Sequence, residues 1–173
     1  MPSKVDCSTL NLQDALDLAI LIEKESEERY MWFADIIGSS YEGDAADFFT
    51  MMAEYERIHG DELTERRSAL FGDAPTRVNA NMIDDIEAPS LDKPRANMSP
   101  RDAYDVAMES EIKAYNFFND ALAGIQDESV RKLFEGLRDE ELEHQELLEK
   151  QKLKNPELNE SDDALDDIDT PCL

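Results

Sequence analysis

Two Glu-x-x-His motifs stand at matching places in the two halves of the chain, and they constrain its fold more than any other feature. The first motif begins at Glu56 and ends at His59, and the second begins at Glu141 and ends at His144. No other histidine occurs in the sequence. Residues three positions apart lie on one face of a helix, so each motif predicts a helix that presents a carboxylate and an imidazole together.

Apolar residues recur at steps of three and four along four long segments, which predicts four helices and an all-α protein. We expect the first helix from about Asn11 to Ile37, the second from about Asp44 to Leu70 and the fourth from about Asp127 to Lys152. The third is predicted to start at Ser99-Pro100, because Ser is a good N-cap and Pro suits the first helical position. Its apolar stripe continues as far as Ala121.

The segment between the second and third helices, about residues 72–98, contains three prolines and shows no clear hydrophobic period. Four-helix bundles with one long crossover use such a segment to join two helices. The sequence therefore predicts a four-helix bundle with one long crossover in a single domain, residues 1–154. Residues 155–173 are acidic and poor in apolar side chains, and we expect a loosely attached tail.

Four glutamates fall on the inward stripes of the four predicted helices: Glu23, Glu56, Glu111 and Glu141. A single glutamate in so acidic a chain is most often solvated. Four unpaired charges in one core would each cost several kcal/mol, however, unless cations bound there. With His59 and His144 they form the ligand pattern of a two-metal centre in a helical bundle. Carboxylate and imidazole ligands suit iron or manganese, with zinc as a substitute.

Two further residues on the first helix are candidates for the same site. Glu27 lies one turn after Glu23 and has three interpretations: a residue that supports a metal ligand, a transient metal contact, or a solvent-directed side chain at the edge of the bundle. Tyr30 lies two turns after Glu23, and a buried phenol needs a partner such as a metal-bound carboxylate. Core packing alone is the alternative for Tyr30. Trp32 falls off the inward stripe, which suggests a dimer surface.

The formal net charge of −25 bears on possible partners. Nucleic acid and anionic membrane surfaces are disfavoured, because both bind proteins through Lys and Arg. We expect no secretion signal and no transmembrane helix, since no apolar run of the required length occurs, and therefore a cytoplasmic protein. Cys7 and Cys172 form no CxxC pair, so neither a zinc knuckle nor a rubredoxin-type site is predicted.

These residues resemble the ferritin-like di-iron family, and the chain looks most like a rubrerythrin or erythrin domain lacking the rubredoxin module. The resemblance rests on EKESEERYMWFA at residues 23–34, on Glu111 and on the two Glu-x-x-His motifs, and it spans roughly residues 11–152. It implies a ferritin-like antiparallel four-helix bundle with a left-handed crossover, two iron ions held by the six residues above, reaction with peroxide or O2, and a homodimer.

The chain also departs from the patterns of this family. Rubrerythrins carry a further glutamate three residues after the third-helix ligand, and Ala114 stands there, which speaks against the iron movement associated with that glutamate. Bacterioferritins place a haem-binding Met directly after the second-helix Glu, and Arg57 stands there, so no haem is predicted. Electrons would have to come from a separate donor, such as a rubredoxin-type protein.

The leading functional hypothesis is a di-iron oxidoreductase that reduces hydrogen peroxide or O2. A ferroxidase for iron storage or delivery, similar to bacterioferritin, is the first alternative. A non-catalytic metal-binding bundle is the second.

Overall fold

The computed structural model describes residues 5–83 and 86–154, and within these ranges it contains four long helices and no strand. The helices are α1 (Leu12–Ile37), α2 (Ala45–Phe71), α3 (Pro100–Ala121) and α4 (Glu128–Lys154). They confirm the predicted all-α bundle, and their ends lie within about two residues of the expected ones. The acidic tail and Cys172 lie outside the described residues.

Side-chain caps explain why the helices start where they do. The side chains of Asn11 and Asp44 accept hydrogen bonds from backbone N–H groups in the first turns of α1 and α2. Ser99 and Asp102 form a capping box at the start of α3. The carboxylate of Asp127 accepts backbone N–H bonds at the start of α4. Each cap satisfies N–H groups that have no partner within the helix.

Helices α1 and α2 end at glycines with positive φ. Gly38 has φ 69° and Gly72 has φ 56°, a region that other residues rarely adopt. Leu70 continues the apolar period of α2, which predicts that it faces inward, but it is 55% exposed. It lies in the last turn before Gly72.

Two clusters of buried apolar side chains fill the bundle, one on each side of its middle. On every helix, the predicted ligands lie between a residue of one cluster and a residue of the other. These bracketing pairs are Ile22 and Tyr30 on α1, Ala53 and Leu63 on α2, Ala107 and Ala114 on α3, and Leu137 and Leu148 on α4. The four acidic side chains therefore lie in a polar layer between two apolar ones.

The crossover between α2 and α3 packs on the bundle, although its sequence shows no period. Val78, Ile83 and Ile86 are buried members of one apolar cluster. Arg77 in the crossover pairs with Asp14 of α1. The described part of the crossover is therefore fixed to α1 by apolar burial and by charge.

The N-terminal approach to α1 contains a short 3₁₀ helix, Cys7–Thr9. Cys7 is a free, buried thiol that belongs to the same apolar cluster as the crossover. No helix among the described residues is long and apolar enough to cross a membrane.

Candidate metal centre

All six predicted ligands meet in the polar layer between the two apolar clusters. The four glutamates are buried and the two histidines are partly buried. Their donor atoms and those of Glu87 fall into three groups, and within each group the donor atoms lie within 4.8 Å of one another. The groups are Glu56 with His59 and His144, Glu111 with Glu141 and His144, and Glu23 with Glu56 and Glu87. Because Glu56 and His144 each belong to two groups, the three groups form one connected array.

The half of the array on α3 and α4 contains an internal hydrogen bond. Nδ1 of His144 lies 2.9 Å from a carboxylate oxygen of Glu111 and 3.8 Å from one of Glu141. The His59 ring stacks on the His144 ring, with centroids 4.6 Å apart and planes inclined by 19°. Helices α2 and α4 thus bring the two imidazoles side by side.

Many oxygen atoms of the array have no hydrogen-bond partner among the described residues. They are Oε2 of Glu23, both carboxylate oxygens of Glu56, Oε2 of Glu87, Oε1 of Glu111 and Oε2 of Glu141. An unpaired buried carboxylate is costly, and such groups are normally paired or coordinate a metal. The donor set therefore fits divalent cations.

Burial is the main influence on the acidic groups of the centre. It raises the pKa of Glu23, Glu56 and Glu141 well above the usual range, and in each case the charge of Glu87 is the next cause. Burial also raises the pKa of Glu87 to about 7, with a further contribution from the charge of Glu111. Bound cations would favour the ionised forms of these carboxylates.

The two histidines respond in opposite directions. Burial and the charge of His144 lower the pKa of His59. Burial also tends to lower the pKa of His144, but the hydrogen bond and the charge of Glu111 outweigh it, and the pKa of His144 is raised. A neutral imidazole is the form that binds metals, and the environment of His59 favours that form.

Glu87 is a member of the array that the sequence pattern missed. It lies in the crossover, is only 2% exposed and shares a donor group with Glu23 and Glu56. No helical period marks its position, and most glutamates in an acidic chain are exposed. The signal that could have found it is its setting between Ile86 and Ala88, which are both buried.

Glu27 lies apart from the array. It is half-buried and lines a surface hollow of about 610 Å³ between α1 and α2, together with Met31 and Arg57. Glu27 belongs to none of the three donor groups found among the described residues. Its position favours the solvent-directed interpretation of this side chain.

Tyr30, by contrast, is fully buried beside the array. Its hydroxyl has no hydrogen-bond partner among the described residues. Burial raises the pKa of this phenol, and the charges of Glu111 and Glu56 raise it further. The two charges come from α3 and α2, and together with burial they favour the protonated phenol.

A family model described as Rubrerythrin matches residues 14–152. The chain belongs to the rubrerythrin family. This family binds a di-iron centre, and the carboxylate and histidine groups of this rubrerythrin-family chain are candidates for holding one.

Two solved structures are similar to this rubrerythrin-family chain. An uncharacterized conserved protein from Magnetospirillum magnetotacticum MS-1 is 30% identical, with a TM-score of 0.63, covering 85% of this chain and 97% of that one. A hypothetical protein from Pyrococcus furiosus is 21% identical, with a TM-score of 0.52, covering 82% of this chain and 88% of the other, and it supports the fold alone. None of the curated proteins matches the chain at a significant level.

Proposed function

We propose that this protein is a di-iron oxidoreductase that reduces hydrogen peroxide, or O2, with electrons returned by a separate donor. The observation that carries the proposal is the polar layer itself. Buried carboxylate oxygens without partners converge there with two adjacent imidazoles, in the middle of an otherwise apolar bundle. Membership of the rubrerythrin family supports iron as the metal.

The residues proposed to hold the metals come from all four helices: Glu23, Glu56, His59, Glu111, Glu141 and His144. When bound, two Fe(II) ions supply two electrons and orient the oxidant. Reduction of one hydrogen peroxide to two waters consumes those two electrons and two protons and breaks the O–O bond. A donor protein then returns two electrons, because the chain encodes no CxxC pair for an iron–sulfur or rubredoxin site of its own.

The chain itself binds the metal ions, limits access of water to them and supplies a hydrogen-bond donor, the hydroxyl of Tyr30. The carboxylates offset the charge of the cations, and the apolar clusters on both sides limit access of bulk water. Tyr30 holds its proton next to the charges of Glu111 and Glu56, so its hydroxyl is available to donate to a metal-bound carboxylate. A donor of this kind orients the carboxylate and does not react itself.

Ferroxidase activity is the second candidate, and the net charge of −25 favours it by concentrating cations near the surface. In that case Fe(II) is the substrate, and ferric product leaves the centre. Assembly into a closed shell would support the ferroxidase, whereas a homodimer would support the peroxidase. Sedimentation velocity distinguishes the two assemblies.

Rapid mixing after anaerobic loading with Fe(II) tests the proposal. The loaded protein is mixed with peroxide and, separately, with O2, while the absorbance of the ferric product is followed. Much faster consumption of peroxide, with turnover when a reductant is present, is the expected result. Faster reaction with O2 and release of ferric iron would favour the ferroxidase.

Two variants calibrate this measurement. Glu141→Gln removes a buried member of the array and should abolish the fast reaction. Glu27→Gln neutralises a carboxylate outside the donor groups and should react like the wild type. Iron binding without turnover of either oxidant would contradict the enzyme and support a non-catalytic metal-binding bundle.

A further inference from the structure

We propose that Glu87 of the crossover is a seventh protein ligand of the metal centre, binding the same ion as Glu23 and Glu56. The inference rests on the proposed two-metal centre and adds a ligand that the helix motifs do not contain. It follows from the burial of Glu87, from the way its backbone is held and from the composition of its donor group.

The carboxylate of Glu87 is buried and aimed at other donor atoms. The residue is only 2% exposed, and its Oε2 atom has no hydrogen-bond partner among the described residues. One of its oxygens lies within 4.8 Å of donor oxygens of Glu23 and Glu56. Three ionised carboxylates this close in an apolar interior repel one another, so they keep their charges together only when a cation lies between them.

Two basic side chains hold the backbone next to Glu87. Arg29 of α1 donates a hydrogen bond from Nη1 to the carbonyl of Pro89, at 2.7 Å. Lys113 of α3 donates from Nζ to the carbonyl of Ala88, at 2.8 Å. Both bonds end on main-chain oxygen atoms, so helices on two sides fix the crossover where Glu87 points inward. The position of the carboxylate is therefore established by its neighbours in the chain.

The donor group that contains Glu87 has no imidazole, unlike the other two groups. In the group of Glu111 and Glu141, His144 contacts the carboxylates directly. Glu23, Glu56 and Glu87 have no such partner within their group. Of the three groups found among the described residues, this one depends most on a cation for its stability.

A ligand role for Glu87 also changes the charge of the centre. With Glu87, five carboxylates face the metals, a charge of −5 against +4 for two Fe(II) and +6 for two Fe(III). Glu87 therefore favours the oxidised pair, and neutralising it should raise the reduction potential of the centre. If Glu87 were instead a neutral, hydrogen-bonded residue away from the metals, its substitution by Gln would leave the reduction potential unchanged.

Titration with Co(II), whose visible absorption reports the number and geometry of its ligands, tests this inference. The wild type is compared with Glu87→Gln, which keeps the shape of the side chain, and with Glu140→Gln. Glu140 is a matched control because it is exposed and outside the donor groups, yet its charge acts on Glu23 and His144. We expect two bound Co(II) in the wild type. In Glu87→Gln, one site should weaken by about tenfold or more and its absorption should change.

The control should keep the wild-type spectrum at both sites. Unchanged affinity and absorption in Glu87→Gln would overturn the ligand role of Glu87, whereas a wild type that binds no metal would overturn the proposed function instead. Should Glu87→Gln fail to fold, X-ray diffraction from the Co(II)-loaded wild type decides the question. A Glu87 oxygen about 2.0–2.2 Å from the ion supports the inference, and one beyond about 3 Å contradicts it.

Discussion

The two ends of the proposed metal centre differ, although the two halves of the sequence repeat the same candidate ligands. At the end formed by α3 and α4, His144 hydrogen-bonds to Glu111. At the other end, Glu23 and Glu56 meet a third carboxylate, Glu87, and both oxygens of Glu56 lack partners. A repeat of helix motifs therefore does not guarantee a symmetric site, because the crossover occurs only once and adds its own charge to one end.

The strongest test of this difference neutralises one carboxylate at each end, in separate variants, and compares their stabilities without metal and with metal. At pH 8, metal-free Glu56→Gln should be more stable than the wild type by about 2–3 kcal/mol, because it removes a buried acid with two unpartnered oxygens. Glu141 has only one such oxygen, so Glu141→Gln should increase the unfolding free energy by less. With metal at a hundredfold excess over Kd, each variant should lose about 2.7 kcal/mol of stabilisation for every ion that no longer binds.

Urea unfolding with and without Co(II) measures both effects. Equal gains for Glu56→Gln and Glu141→Gln in the metal-free protein would show that the two ends are alike. A loss of stability in both metal-free variants would contradict the argument from unpartnered oxygens.

The pH dependence of the metal-free protein sharpens the comparison further. The pKa of Glu87 is raised to about 7 in the folded protein, above its ordinary value of 4.5. The folded state therefore binds the proton more tightly than the unfolded state. The contribution of Glu87 to stability is full below about pH 4.5 and is lost as the pH rises through about 7. The free energy of unfolding should fall by up to about 3 kcal/mol over this window.

Chemical unfolding at a series of pH values, in the presence of a chelator, measures this fall. Glu87→Gln should remove the contribution of Glu87, so its unfolding free energy should fall less with rising pH than that of the wild type. Glu140→Gln should keep most of the wild-type fall. An unchanged slope in Glu87→Gln would assign the whole pH dependence to the helix carboxylates.

A smaller effect is expected from loosening the crossover. Arg29→Met removes the hydrogen bond to Pro89 and should cost about 1–3 kcal/mol of unfolding free energy. It should also weaken Co(II) binding at the end that contains Glu87. Arg29→Lys retains a charged donor and should recover part of both losses. Equal weakening of the two metal sites would indicate a general loss of packing instead.

The smallest effect concerns two helix glycines. A Cβ on Gly60 of α2 would lie 3.4 Å from Cβ of Glu23, whereas a Cβ on Gly136 of α4 would meet nothing within 4 Å. Gly136→Ala should stabilise the protein by about 0.5–1 kcal/mol through helix propensity. Gly60→Ala should gain less, because α1 and α2 are already in contact there. Thermal unfolding of both variants checks this, and equal gains would mean that the approach of α2 to α1 is not tight.

Local rules were sufficient to predict the helices and the six helix residues that the structure brings together as candidate ligands. Asn11, Asp44 and Ser99 are good N-caps, and the Glu-x-x-His spacing places two ligands on one face of a helix. Leu70 shows where such rules end, because it continues the apolar period of α2 and is nevertheless exposed. Periodicity indicates which face of a helix a residue lies on. Burial also requires another element to pack against that face at the level of the residue.

Glu87 could not be predicted in the same way, because its burial is a tertiary effect. It depends on Arg29 and Lys113, which are distant in the sequence and bind the main chain of the crossover. Side-chain-to-carbonyl contacts of this kind leave no periodic signal. The third-helix position where the related pattern has a glutamate is Ala114, which is fully buried.

The buried thiol near the N-terminus has a consequence for a protein proposed to meet peroxide. Burial raises the pKa of Cys7 to about 11, and the charge of Asp6 adds to this. Sulfur is oxidised chiefly as the thiolate, so at neutral pH this side chain is a poor target for the oxidant. With peroxide as the proposed substrate, we expect little sulfenic acid to form at Cys7.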